Sequence, residues 1–460
     1  MLARLDDTIP GLAEPKPMRV LLIAEAANPE WTSVPLEGWS HARAIAALTD
    51  AHLVTQVRNE AAIRRAGLDD RSFTAIDSEA VARRLWAVAT RLRGGENKGW
   101  TTITALSNLA YYSFERLVWR QLGERIRRRE FDLVHRLTPL SPTTPSLLAS
   151  RCRRAGVPFV LGPLNGGVPW PKEFTQARHR EKEWLSYVRP MAALLPGQRS
   201  TRRDAAAIIA GSIDAYEQVQ RAYRHKCVYI PENGIDPARF ERQRDRAAAR
   251  PLRLVFAGRL VPYKGADMLL EAAAPLVRSG AVTIDILGDG PEMPALRAMV
   301  EREGLAEGVS LPGWIEHERM QERLAAADVF AFPSIREFGG AVVLEAMATG
   351  LVPVVVAYGG PAELIDERCG YGVPIGPRAR IVAEFRRILG ELAEAPERVD
   401  RMSAWAVRRA RTLFTWEAKA RQVLEVYRWV LGRRPDRPDF GMPLPTPAAA
   451  AAPVGVEVPA

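Results

Sequence analysis

The chain has 460 residues, a formal net charge of +10, 47% hydrophobic and 26% charged residues. That suffices for two or three domains of about 150 residues each, and it fits a soluble globular protein rather than a disordered or fibrous one. The longest apolar runs, such as VPVVVA at 352–357, fall far short of the roughly 20 residues that span a bilayer. Three scattered cysteines, Cys152, Cys227 and Cys369, form no disulfide framework and fit a reducing compartment.

The N-terminus, MLARLDDTIPGLAEPKP, has acids and prolines where a signal peptide would be apolar, so a cytoplasmic location is expected. Strands are expected at 18–26, 51–57, 131–137, 157–164, 205–212 and 227–232. Residues 83–129 interrupt this series with a mostly helical stretch carrying Trp86, Trp100, Tyr111, Tyr112, Phe114 and Trp119. Arginine clusters at 125–130, 151–154, 178–182 and 199–203 read either as solvated helix faces or as a basic face for an acidic glycan or the anionic inner surface of the cell membrane. No recognised nucleic-acid motif is present, so nucleic acid is not an expected partner. The run GPLNGGVPWP (162–171) follows a strand end. Asn165, Gly166 and Gly167 there read equally as contacts to an acceptor or a donor sugar and as a structural turn.

A polar, charged segment at 232–251 marks a domain boundary, after which the series restarts at 252–260, 282–288, 308–313, 328–334, 352–358 and 370–376. Strands apolar on both faces, separated by helical patterns, indicate parallel sheets covered by helices. The expected fold is α/β, with two doubly wound Rossmann-like domains facing a cleft at their strands' carboxyl ends. The first domain is expected over 1–235 and the second over 236–413. A Pro- and Ala-rich tail, expected to be disordered, covers 433–460.

The second domain carries the sharpest motifs. In FAGRLVPYKGADMLLEA (256–272), Arg259 and Lys264 stand at a strand end. Two fixed cations there can neutralise a diphosphate leaving group; the alternative is an exposed basic loop. LGDGPE (287–292) makes a tight turn, and LPGWIEHERM (311–320) sets Trp314 and Ile315 beyond another strand end, where backbone groups can read a base edge. In DVFAFPSIREFGGAVVLEAMATG (328–350), Gly339 and Gly340 let the backbone approach a ligand ahead of a helix whose N-terminus favours phosphate. Glu337 precedes the glycines and Glu345 follows them. The pair can grip the two ends of one ligand, Glu345 accepting from a ribose diol and Glu337 from sugar hydroxyls. A solvated glutamate and a capping glutamate beside an ordinary turn is the alternative.

Taken together, AGRLVPYKG, LGDGPE, LPGWI, ADVFAFPS and EFGGAVVLEAMATGLVPVV resemble the nucleotide-sugar-binding domain of the family-4 retaining glycosyltransferases (glycosyltransferase group 1), which have the GT-B architecture. The pair Glu337 and Glu345 matches that family's E-x7-E motif. The resemblance implies that Glu345 binds the donor ribose, Glu337 the donor hexose, Arg259 and Lys264 the diphosphate, and Gly339 and Gly340 sugar and phosphate. In the first domain the likeness is looser. FDLVHRLTP puts His135 where the family often has a histidine facing the donor sugar. Many relatives carry a Gly-Gly loop after the first strand; here Gly38 replaces it after a longer loop. NGID (233–236) also matches, and FTWEAKARQVLEVYRWVL (414–431) resembles the family's helix that returns to complete the first domain, placed at 414–432.

The sequence contains no Asp-x-Asp pair, so charge stabilisation is expected from Arg259, Lys264 and the helix N-terminus without a metal ion or other cofactor. The resemblance implies transfer of a hexose from a nucleoside diphosphate sugar, with retention, to an acceptor hydroxyl on a glycan or lipid-linked saccharide. The rival readings are a non-catalytic sugar-nucleotide-binding protein and a sugar-nucleotide epimerase or phosphorylase of the same architecture.

Overall fold

A computed structural model describes residues 17–79, 100–174, 195–240, 242–244 and 250–442, with the side chains of 100–109 left out. The first sheet comprises β1 (Arg19–Ala24), β2 (Asp50–Gln56), β3 (Phe73–Ile76), β4 (Leu133–Thr138), β5 (Phe159–Leu164), β6 (Ala207–Ala210) and β7 (Cys227–Tyr229). The strands are parallel, in the order β3-β2-β1-β4-β5-β6-β7. The second sheet comprises β8 (Leu252–Ala257), β9 (Val282–Leu287), β10 (Val309–Gly313), β11 (Val329–Phe332), β12 (Val352–Ala357) and β13 (Tyr371–Pro374). It too is parallel, in the order β10-β9-β8-β11-β12-β13. The strand order reverses between β1 and β4 in one sheet and between β8 and β11 in the other. Ligands of doubly wound sheets bind beyond the carboxyl ends at such reversals.

Central strands are apolar on both faces because both faces are covered. Every residue of β4 and β5 is buried. The helix Trp100–Arg127 covers one face of the first sheet with Tyr111, Phe114, Val118, Leu122 and Ile126, a three-to-four-residue spacing that makes one apolar stripe. Tyr111 and Phe114 therefore pack in the core instead of facing a membrane, and Trp119 lies under Arg127 and Arg151 at 5.3 Å from each. Trp86, the side chain of Trp100 and the arginine cluster at 178–182 lie outside the described residues.

The helix Val34–Ala46 covers the other face together with the helix Trp416–Val430. Ala420, Val423, Val426 and Tyr427 share one core with Val20, Leu22, Val160 and Ile209. The end of the chain thus returns to the first sheet. It does so beside the outward crossing, where Ile235 bridges Thr415 and exchanges backbone hydrogen bonds of 2.8 and 3.1 Å with Phe414 and Trp416. The expected tail begins later than the sequence suggested. Met442 is buried and Arg437 donates to the carbonyls of Arg224 and Cys227 at 2.9 and 3.1 Å, so residues 433–442 stay on the body. Residues 443–460 lie outside the described residues.

Candidate functional site

The second sheet's reversal point brings the two halves of the motif together. β8 ends into Gly258 and Arg259, and the next turn, Pro262–Lys264, delivers Lys264. Gly265 follows at φ 75°, and a Cβ there would meet the Pro333 carbonyl at 2.5 Å, so this glycine lets the loops after β8 and β11 touch. Across that contact the Lys264 ammonium pairs directly with the Glu337 carboxylate, and neither is more than one-fifth exposed. Arg259 stands exposed at the rim.

Gly340, at φ 76°, caps the helix Ala341–Ala348 without any side-chain cap. The first-turn N–H groups of such a helix favour an anion. Gly339 is a glycine for a second reason. A Cβ on it would collide with Asn233 and Glu232 of the first domain's exit segment. Glu345, in the body of this helix, is half-buried, and loss of water lifts its carboxyl to about 7 against a weaker pull from Arg239.

The first domain supplies a wall to this site. Residues 165–171 reach over the second domain. Arg336 Nε donates to the Val168 carbonyl at 3.4 Å and its guanidinium sits 4.8 Å from the Trp170 ring. Trp170 meets Tyr263 edge to face at 6.0 Å, and the Tyr358 hydroxyl donates to the Pro169 carbonyl at 2.9 Å. Asn165 is buried at the root of this loop, its Oδ1 accepting from the Gly166 N–H at 2.6 Å. Gly166 and Gly167 hold positive φ of 105° and 87°, a backbone shape that glycine adopts at little cost.

Several groups at the junction escaped the sequence reading. Glu363 accepts from the Ile213 N–H at 3.0 Å and from the Tyr229 hydroxyl at 2.7 Å, and burial lifts it to about 7. Glu232 is 7% exposed and also lifted to about 7 by burial, with Asn165 and Lys419 pulling down and Glu363 and Glu337 pushing up. Glu37 is raised further, by burial and then by Glu232. Lys419, on the returning helix, is fully buried; its ammonium donates to the Pro231 carbonyl at 2.6 Å and burial drops it to about 7. Five carboxyls and two ammonium groups thus converge from both domains. For Glu37, Glu232, Glu363 and Lys419 the only local signal was PENGID (231–236), which reads as a boundary.

Two expected site positions, His135 and Gly38, change meaning. His135 is fully buried: Nδ1 accepts from the Tyr427 hydroxyl at 2.6 Å and Nε2 donates to the Gly162 carbonyl at 2.7 Å. Burial holds it near 3, so it is a neutral core histidine bound to the returning helix and does not face a donor sugar. Gly38 lies inside the helix Val34–Ala46, where a Cβ would collide with the Ala26 carbonyl, so close packing claims it. Trp314 is 77% exposed after β10, while Ile315 turns inward against the second core. No group of three or more His, Cys, Asp or Glu among the described residues is placed to hold a metal ion.

Residues 251–391 match the family model described as glycosyl transferases group 1. Among curated proteins the chain is 31% identical over 257 residues to a D-inositol 3-phosphate glycosyltransferase of Streptomyces scabiei, covering 51% of this chain and 56% of that one. It is 27% identical over 251 residues to the alpha-D-kanosaminyltransferase of Streptomyces kanamyceticus, covering 50% and 62%. The chain spans about half the length of the curated relatives it matches. Among solved structures it resembles Anabaena HepE in complex with UDP, at TM-score 0.57 and 18% identity over 89% of this chain and 98% of that one. A sucrose-phosphate synthase from Thermosynechococcus elongatus gives TM-score 0.57 and 17% identity over 91% and 100%. Residues 251–391, within the second domain, are thus similar to the group 1 glycosyl transferases, and the two parallel sheets give the chain the GT-B fold.

Proposed function

We propose that the chain transfers a hexose from a nucleoside diphosphate sugar to an acceptor hydroxyl on a glycan or lipid-linked saccharide, with retention and without a metal ion. The observation that carries this reading is the Lys264–Glu337 pair at the second sheet's reversal point, with Arg259 and the helix carrying Glu345 beside it. Glu345 accepts from the ribose diol. The diphosphate lies over Gly339 and Gly340, where Arg259, Lys264 and the helix N-terminus stabilise the charge that develops as it leaves. Glu337, released from Lys264, accepts from the hexose. The bond from the anomeric carbon to the phosphate oxygen breaks, and the acceptor oxygen bonds the same face. Its proton passes to the departing phosphate oxygen.

The family match, the relatives' names and the UDP bound to HepE support a nucleotide-sugar donor. Among the described residues no helix is long and apolar enough to cross a membrane; the proposed site of action is the cytoplasm. Contact with an anionic membrane surface would draw on the arginine clusters, of which Arg127 and Arg128 already share Glu124.

Thermal unfolding in the presence of UDP, GDP, ADP and their sugars tests the reading. One nucleotide series should raise the midpoint in a concentration-dependent way, because a ligand of the folded state stabilises it. No shift with any of them at millimolar concentration would reject it.

A further inference from the structure

Two buried polar atoms at the cleft have no partner. Asn165 is 4% exposed and its amide Nδ2 donates to nothing within hydrogen-bond geometry; Glu232 is 7% exposed and its Oε2 accepts from nothing. The Asn165 amide acts on the Glu232 carboxyl as a weak side-chain hydrogen bond that draws it down, short of the geometry that would satisfy either group. Leaving a buried donor and a buried acceptor unpaired costs on the order of 1–3 kcal/mol apiece, so such groups usually mark a place for water or ligand.

Their position names the ligand. Glu232 Oε1 lies 2.8 Å from where a Cβ on Gly339 would stand, so the carboxyl presses on the glycine turn. The Glu337 charge is felt there too. Asn165 comes from the other side, at the end of β5 and the root of the loop that crosses to the second domain. A neutral amide donor next to a carboxyl that burial lifts to about 7 suits a hydroxyl, which gives one hydrogen and takes another. A phosphate would find a repelling carboxyl.

Resting on the donor site proposed above, we propose that Asn165 and Glu232 form a hydroxyl-reading pair for the sugar being transferred, the amide donating a hydrogen bond to one sugar hydroxyl and the carboxyl accepting a hydrogen bond from it. The pair selects among hexoses by the orientation of that hydroxyl, and it leaves the nucleotide to the second domain.

The test uses the full chain and calorimetric titration with bare UDP, UDP-glucose, UDP-galactose and UDP-N-acetylglucosamine, or with the matching GDP or ADP compounds if UDP does not bind. Three variants are compared with the wild type. Asn165→Ala removes the donor, Glu232→Met removes the acceptor at similar volume, and Glu232→Gln keeps an acceptor. Asn165→Ala and Glu232→Met should each weaken the preferred sugar nucleotide about tenfold, the scale of one hydrogen bond in a buried site. The bare nucleotide should be unaffected, Glu232→Gln should retain most of the affinity, and the ranking of the hexoses should flatten. The double variant should lose less than the sum, because both groups serve one hydroxyl. Unchanged sugar-nucleotide affinity, or an equal loss for bare nucleotide, overturns the pair. If Glu232→Met does not fold, Asn165→Ala alone decides by the same two readings. Failure of the wild type to bind any of these compounds would instead overturn the donor site, and the pair with it.

Discussion

Lys264 and Glu337 hold each other across the cleft, and under the proposed function a diphosphate sugar parts them. The carboxylate is then free for hydroxyls while the ammonium takes the phosphate. Arg259 has no such partner change to make. Replacing either cation by alanine should lower turnover by roughly 100-fold, the scale of losing one charge-stabilising donor; near-normal rates in a folded variant would remove both from the diphosphate site. Glu345 must be ionised to accept two hydroxyls, yet burial raises it to about 7. Sugar-nucleotide affinity should therefore weaken as pH falls below about 7, and Glu345→Gln should flatten that dependence in titrations from pH 8 to about 5. An equally steep pH profile in the variant would assign the titration elsewhere. The sequence groups these four residues into one motif because Arg259, Lys264 and Glu337 follow closely on strand ends and Glu345 lies in the helix that comes next. His135 was not: on a strand buried on both faces, a histidine's place in the sequence does not say which way it points or what it bonds.

At the scale of elements, the helix Val34–Ala46 depends on Gly38 to approach the segment after β1. The expected ligand role and the observed packing role give different results on substitution. Gly38→Ala should destabilise the fold by about 1–3 kcal/mol, as overpacking does, and leave nucleotide affinity in the surviving folded fraction unchanged. Urea unfolding and titration together check this; a full-stability variant with weakened donor binding would return Gly38 to the site. Twelve of the thirteen strands were legible, most of them because parallel strands buried on both faces make continuous apolar runs; β10 and β13 are more exposed. β3, FTAI, was missed: four residues with only Phe73 and Ile76 buried make no run. The first ten residues of the expected tail are held by Met442 and Arg437 through contacts that composition does not encode.

Across the whole molecule, the junction of the two domains stores charge away from water. Glu232, Glu345 and Glu363 titrate near 7 when folded and near 4.5 when free. Between those values the folded chain holds protons that the unfolded chain has lost, so stability falls as pH rises. Lys419 has the opposite effect: near 7 folded and 10.5 free, it adds stability as pH rises above 7. The unliganded protein should have a local stability minimum near pH 7, measurable as midpoint against pH; a maximum there would contradict the buried-charge account. The returning helix and Glu345 were expected from the sequence, but the cluster of Glu37, Glu232, Glu363 and Lys419 was not, since these groups meet only when that helix packs beside the exit segment.

The most direct measurement of the central claim is the release of nucleoside diphosphate from nucleotide sugars by the full chain, with and without excess EDTA, for the wild type and Glu345→Ala. The account predicts release from one nucleotide-sugar series, unchanged by EDTA and reduced at least tenfold in the variant, the loss expected when binding energy at the ribose no longer positions the reacting carbon. Release abolished by EDTA and restored by magnesium or manganese would contradict the metal-free mechanism. No release from any nucleotide sugar, even in the presence of simple saccharide acceptors, would contradict sugar transfer itself.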